Sequence, residues 1–157
     1  MFHALVVLGT LLVASGAYAR THIEAPIIRV VAVEASSAQP GNGAPNAIDT
    51  WLGSRWSAQG EGEWIIFDLG ESIILEEMAI AWYQGKGRTF TFDIEISEDK
   101  ATWSRIFSGF SSAQTDKLET YGFANSWGRF VRIVGYGNTK NNWNSIREVQ
   151  FWHVVWP

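Results

Sequence analysis

Residues 90–97 read Phe90-Thr91-Phe92-Asp93-Ile94-Glu95-Ile96-Ser97, and their alternation decides the fold class. Side chains of an extended chain point to opposite faces in turn, so Phe90, Phe92, Ile94 and Ile96 fall on one apolar face. Thr91, Asp93, Glu95 and Ser97 fall on the other. The same period places Ile65, Phe67 and Leu69 on a second inner face, and Val131 and Ile133 on a third, with Arg132 outward. Val149 and Phe151 make the last inner face, which puts Glu148 on the opposite side. Ile28–Val33 is a short apolar run expected to be the first strand, and Ile73–Trp82 a longer strand that bends. Gly60-Glu61-Gly62, Gly85-Lys86-Gly87 and Gly135-Tyr136-Gly137-Asn138 are expected to be turns. No segment carries a long helical period; Ala44–Ile48 can form one short turn, with Pro45 suited to a first helical position. Many short strands joined by Gly-rich loops indicate an all-β antiparallel sandwich.

At the N-terminus, Ala4–Val13 is apolar and Ala17-Tyr18-Ala19 has the small-x-small pattern of a cleavage site. The apolar run is shorter than the roughly 20 residues that span a bilayer. Residues 1–19 are therefore expected to be a signal peptide, and 20–157 a single secreted domain. The chain has no cysteine and a net charge of −4, so it offers neither a disulfide framework nor a basic footprint for nucleic acid. A domain of this size can build a sufficient core without disulfides. Its nine Trp exceed what a small sandwich needs inside, so some are expected at the surface, where a flat ring with one polar edge suits a binding site.

Two loops carry binding chemistry. Tyr83-Gln84-Gly85-Lys86-Gly87-Arg88 presents an aromatic ring, an amide and two cations; Gly137-Asn138-Thr139-Lys140-Asn141-Asn142-Trp143-Asn144 presents Asn side chains, a cation and an indole. Asn both donates and accepts, which suits neighbouring hydroxyls, and the Arg fork suits a carboxylate. The alternatives are turn chemistry for the Asn residues, a surface ion pair from Arg88 to Asp93 or Glu95, and loop packing for Trp143. A further loop, Pro45–Ser57, holds Asp49 and Ser54 around Gly53. It can supply a carboxylate, a hydroxyl and carbonyls to a hard cation, with Glu148 as a distant partner; Asp49 can equally cap a turn. Catalytic patterns are weak. His22 and His153 lie in no metal spacing, no nucleophile elbow occurs, and Asp93 with Glu95 is a carboxylate pair only in sharing one strand face.

The ordered runs Asn46-Ala47-Ile48-Asp49, Ser54-Arg55-Trp56, Trp64–Gly70, Phe92–Ser97, Arg129–Ile133 and Trp143–Val149 resemble the coagulation-factor C-type (discoidin) domains and family 32 carbohydrate-binding modules. The resemblance implies a jelly-roll β-sandwich that binds without catalysis and a structural Ca²⁺ held by Asp49, Ser54 and Glu148. This chain departs from the family pattern at Thr50 and Trp51, where Gly and a small polar residue are usual. Arg88–Asp93, Leu118-Glu119 and the run from Gly135 through Asn138 to Trp143-Asn144-Ser145 look most like modules attached to alginate lyases. The expected function is thus a secreted module for an acidic polysaccharide such as alginate, with a separate polysaccharide lyase as a possible partner. The expected ligand residues are Tyr83, Lys86, Arg88, Asn138, Lys140, Asn142, Trp143 and Asn144. A neutral galactoside, or a protein or lipid bound in discoidin fashion, are the alternatives. Loop tips of Gly, Asn and Lys argue against lipid.

Overall fold

The computed structural model describes residues 27–152; the signal peptide expected over 1–19, His22 and His153 lie outside them. The alternating run at 90–97 is a strand, and the described chain is built from strands and one 3-10 turn. These are β1 (Ala32–Ala35), the turn Ala44–Ala47, β2 (Trp56–Gln59), β3 (Glu63–Trp82), β4 (Phe90–Ser97), β5 (Ser104–Phe110), β6 (Leu118–Asn138) and β7 (Trp143–Phe151). Hydrogen bonding runs in the order β2-β7-β3-β6-β4-β5, with β1 on β3, and every strand pair is antiparallel.

The two long strands make this a sandwich. The first half of β3 pairs with β1 and with the second half of β6; its second half pairs with β7 and the first half of β6. Register shifts between Asp68 and Ile73, and between Leu75 and Glu77, mark the bend. There Gly70 has φ +82, a left-handed conformation open to glycine. Each long strand thereby contributes to both layers of an antiparallel jelly-roll sandwich. Ile65, Phe67, Leu69, Phe92, Ile94, Val131 and Ile133 form one side of the core; Met78, Ile80, Trp82, Tyr121, Ile146, Val149 and Phe151 form the other. Rings meet between the layers, Phe67 with Phe151 at 5.5 Å and Trp82 with Phe92 at 4.8 Å between centroids. A fully buried large apolar side chain contributes about 1.5–3 kcal/mol, so this aromatic seam is a principal source of stability.

Three expectations are corrected. The first strand is Ala32–Ala35 rather than Ile28–Val33, because pairing with β3 begins at Ala32 opposite Asp68; Ile28 instead donates its N–H to Phe151 O at 2.8 Å. Ile73–Trp82 is not separate but the second half of β3. Gly135–Asn138 is not a turn but the end of β6. Gly135 lacks a Cβ because the Asn144 side chain occupies that space.

Candidate functional site

β4 begins where β6 ends, with Phe90 paired to Asn138. That pairing brings the two polar loops together. Thr139 fastens them: its Oγ accepts from Thr89 N at 3.2 Å, and its N–H donates to Thr89 O at 3.0 Å. The 83–88 loop is braced from the other side by Gly87 N–H to Ala113 O, 2.9 Å, and by Lys86 N–H to Asp116 Oδ1, 3.1 Å. Between the loops lies an open depression of about 480 Å³ lined by Gln84, Lys86, Gly87, Arg88, Asp116, Lys140 and Arg147. The Arg88 guanidinium donates to Gln84 Oε1.

Arg147 reaches this depression through a β-bulge. Ala81 pairs with Glu148 but Trp82 pairs with Ile146, so Arg147 is an extra residue in the ladder, and a bulge re-aims the side chain it carries. Beside the depression the Tyr83 ring is a platform for cations. The Arg55 guanidinium lies 4.1 Å from its centroid, Arg147 5.3 Å and Arg88 5.9 Å, within the range of cation–π attraction. Elsewhere Lys100, Arg105, Arg129 and Arg132 are each paired with a carboxylate. Among the described residues, Arg55, Lys86, Arg88, Lys140 and Arg147 make no such pair. A protein of net charge −4 thus gathers five unpaired cations at one place, Arg29 and Lys117 being the other two among the described residues.

Of the expected ligand residues, Lys86, Arg88 and Lys140 line the depression. Tyr83 does not present a bare ring for a sugar, because Arg55 lies over it. Asn144 is corrected outright. It is 2% exposed, its Oδ1 accepts from Gly137 N at 2.7 Å, and its Nδ2 donates to Gly60 O at 2.7 Å, leaving nothing for a ligand. Asn138 is likewise engaged: Nδ2 donates to Trp143 O at 2.8 Å and Oδ1 accepts from Lys140 N at 2.9 Å. Asn142 and Trp143 are outside the depression, where Asn142 Oδ1 accepts from Gln59 Nε2 at 3.2 Å and Trp143 pairs with Gln59. Arg147, Gln84 and Asp116 were not among the expected residues. Asp93 and Glu95 are each engaged by an Arg, Asp93 by Arg105 and Glu95 by Arg132 at 2.5 Å. Burial pushes Asp93 up, but hydrogen bonds from Ser108, Tyr136 and Arg105 outweigh it and leave the carboxyl below its ordinary value.

Asp49, Ser54 and Glu148 are also brought together. Ser54 Oγ has Asp49 Oδ2 at 2.6 Å, Trp51 O at 2.9 Å and Asn46 O at 3.3 Å. A hydroxyl has one proton to donate, so these acceptors crowd one another. Glu148 is 4% exposed beneath the same loop, with Oε2 accepting from Thr50 N at 3.1 Å. Burial, reinforced by the Asp49 charge and opposed by that hydrogen bond, pushes Glu148 up to about 7. This oxygen-rich donor set fits a hard cation. No cluster of three or more His, Cys, Asp or Glu side chains occurs among the described residues, so hydroxyl and carbonyl oxygens would complete the shell. Thr50 has φ 64, a conformation uncommon for a β-branched residue.

The family model described as F5/8 type C domain matches residues 32–149. Among solved structures, "CBM32 of AlyQ in complex with 4,5-unsaturated mannuronic acid" is 43% identical, with a TM-score of 0.80, over 82% of this chain and 99% of that one. A truncated AlyQ with CBM32 and alginate lyase domains is 42% identical, TM-score 0.80, over 84% of this chain and 34% of that one. A pectin-binding carbohydrate-binding module is 25% identical, TM-score 0.76, over 79% of this chain and 91% of that one. No curated protein matches the chain.

Proposed function

We infer that this chain, which belongs to the F5/8 type C domain family and is a carbohydrate-binding module, recognises an acidic sugar through uronate carboxylates bound at Lys86, Arg88, Lys140 and Arg147. The observation that carries this reading is the convergence of unpaired cations on an acidic protein. A site for a neutral galactoside has no need of such a concentration of charge, which must be held together against its own repulsion. A module 43% identical was solved with 4,5-unsaturated mannuronic acid, which supports the same class of ligand, and alginate is the polymer proposed. Arg88 suits a bidentate bond to the carboxylate, and Gln84 and Arg147 hold the neighbouring positions. The module binds its sugar and leaves it chemically unchanged. It acts outside the cell, delivered by the segment 1–19, and a separate lyase is its natural companion.

A charge-assisted hydrogen bond contributes about 1.5–3 kcal/mol, and each tenfold in affinity is about 1.4 kcal/mol. Arg88→Ala should therefore weaken binding of alginate oligosaccharides by about ten- to a hundredfold in titration calorimetry. Arg88→Lys should recover part of the loss, since Lys lacks the planar fork. Unchanged uronate affinity in Arg88→Ala would remove the site from this depression, and tight, salt-insensitive binding of a galactoside with alginate ignored would favour the neutral-sugar reading.

Calcium is the proposed structural ion, held by Asp49, Ser54 and Glu148 with carbonyls of the 45–57 loop. When bound, it would neutralise the Asp49–Glu148 repulsion and satisfy the oxygens crowding Ser54. An ion that binds only the folded state stabilises it by mass action. A chelator should lower the wild-type melting temperature and leave that of Asp49→Ala unmoved; identical melting of both proteins under both conditions would dismiss the ion.

A further inference from the structure

We propose that the depression takes at least two successive acidic sugar residues rather than one. This rests on the uronate reading above and follows from counting its charges. Lys86, Arg88, Lys140 and Arg147 line the depression against the single carboxylate of Asp116. Asp116 already accepts the backbone N–H of Lys86. One uronate residue brings one carboxylate, which with Asp116 still leaves two of the four positive charges unmatched and mutually repelling. A run of uronates brings one carboxylate per ring.

The cations are also of two kinds. Arg88 and Arg147 are half-buried and lie near the Tyr83 ring. Arg88 is further fixed by Gln84. They are planar donors in a set geometry, suited to one carboxylate in one orientation. Lys86 and Lys140 are exposed, each at the tip of a different loop, and Lys is a flexible point charge that tolerates a range of positions. Arg88 and Arg147 thus hold one uronate, while Lys86 and Lys140 take the carboxylate of the next residue along the chain. The depression is open to solvent, so the polymer can continue past it.

The test is calorimetric titration of mannuronic acid, its β-1,4-linked trisaccharide, and the same trisaccharide with its carboxyls reduced to alcohols. Wild type should bind the acidic trisaccharide at least about tenfold more tightly than the monosaccharide, and the acidic trisaccharide should lose more affinity as salt is added, since screening acts on exposed charges. The reduced trisaccharide should show no such gain. The double variant Lys86→Gln/Lys140→Gln, checked for an unchanged melting temperature, should lose more affinity for the trisaccharide than for the monosaccharide. Equal affinities and salt responses for monosaccharide and trisaccharide would overturn this inference and leave the uronate reading standing. So would equal losses in the double variant. If neither acidic sugar binds wild type, the uronate reading itself falls.

Discussion

Asn144, at the start of β7, and Arg88, in the loop before β4, were both expected to meet a ligand and have opposite fates. Asn144 spends its donors and acceptor on the backbone of Ala58, Gly60 and Gly137. It packs so closely that Gly135 has no room for a side chain. Arg88 keeps its guanidinium at the rim of the depression with, among the described residues, only Gln84 as a side-chain hydrogen-bond partner. Asn144 is therefore a structural pin that seats the loop carrying Lys140. Removing it leaves buried backbone groups unsatisfied, which costs about 1–3 kcal/mol. Asn144→Ala should lower stability by about that amount in urea unfolding, yet retain near-normal uronate affinity at temperatures where the variant is folded. Wild-type stability in this variant, with binding lost, would return Asn144 to the ligand site. Tyr83, expected from composition as a stacking surface for sugar, has the Arg55 guanidinium 4.1 Å from its ring centroid.

At the scale of elements, the cation cluster and the oxygen cluster of Asp49, Ser54 and Glu148 are joined through neighbouring residues. On the 45–57 loop, Ser54 belongs to the oxygen cluster and Arg55 lies over Tyr83. On β7, Arg147 lines the depression and Glu148 accepts from Thr50. An ion that fixes Ser54 and Glu148 would fix the backbone that aims Arg55 and Arg147. Asp49→Ala should thus weaken uronate binding severalfold, although Asp49 does not line the depression. Chelator should bring wild type to the same weakened affinity and leave the mutant's binding unaffected. Full wild-type affinity in excess chelator would show the two clusters to be independent. These elements also show what could be read in advance. The inner faces of β4, β6 and β7 follow from a period of two, and the conjunction of Asp49, Ser54 and Glu148 followed from the family resemblance. β5 was missed because the outermost strand Ser104–Phe110 is mostly exposed and shows no alternation. Arg147 was missed because a bulge is fixed by the partner strand, here between Ala81 and Trp82, and no local pattern in Trp143–Phe151 announces it. The unity of β3 was hidden by the bend at Gly70, which separates the apolar face ending at Leu69 from the run beginning at Ile73.

For the molecule as a whole, acidity is a condition of stability as well as a background to binding. Asp68 joins the bend of β3 to β6 by a two-pronged bond, Arg129 Nε to Oδ1 at 2.8 Å and Nη2 to Oδ2 at 3.0 Å. The Arg129 hydrogen bond holds the Asp68 carboxyl below its ordinary value of 3.8 against the effect of burial, helped by the Gly70 N–H. Asp93 is depressed as well, and so is Asp99, through the backbone N–H groups of Thr102 and Ala101. A carboxyl depressed in the folded state contributes stability that is fully present above its unfolded pKa and disappears as pH falls through the folded value. The urea midpoint should therefore be insensitive to these groups from neutrality down to about pH 5, and should fall as pH drops from there through 4 and below. Arg129→Met isolates one contribution. Without the guanidinium, Asp68 loses its depression, so the variant should be less stable than wild type at pH 7, and the gap should narrow as acid protonates Asp68 in both proteins. Urea midpoints measured for the two proteins from pH 7 to pH 3 decide the matter. A gap that stays constant across that range would mean that Arg129 contributes by packing over Phe130, whose centroid lies 5.0 Å from its guanidinium, and not through the ionised form of Asp68.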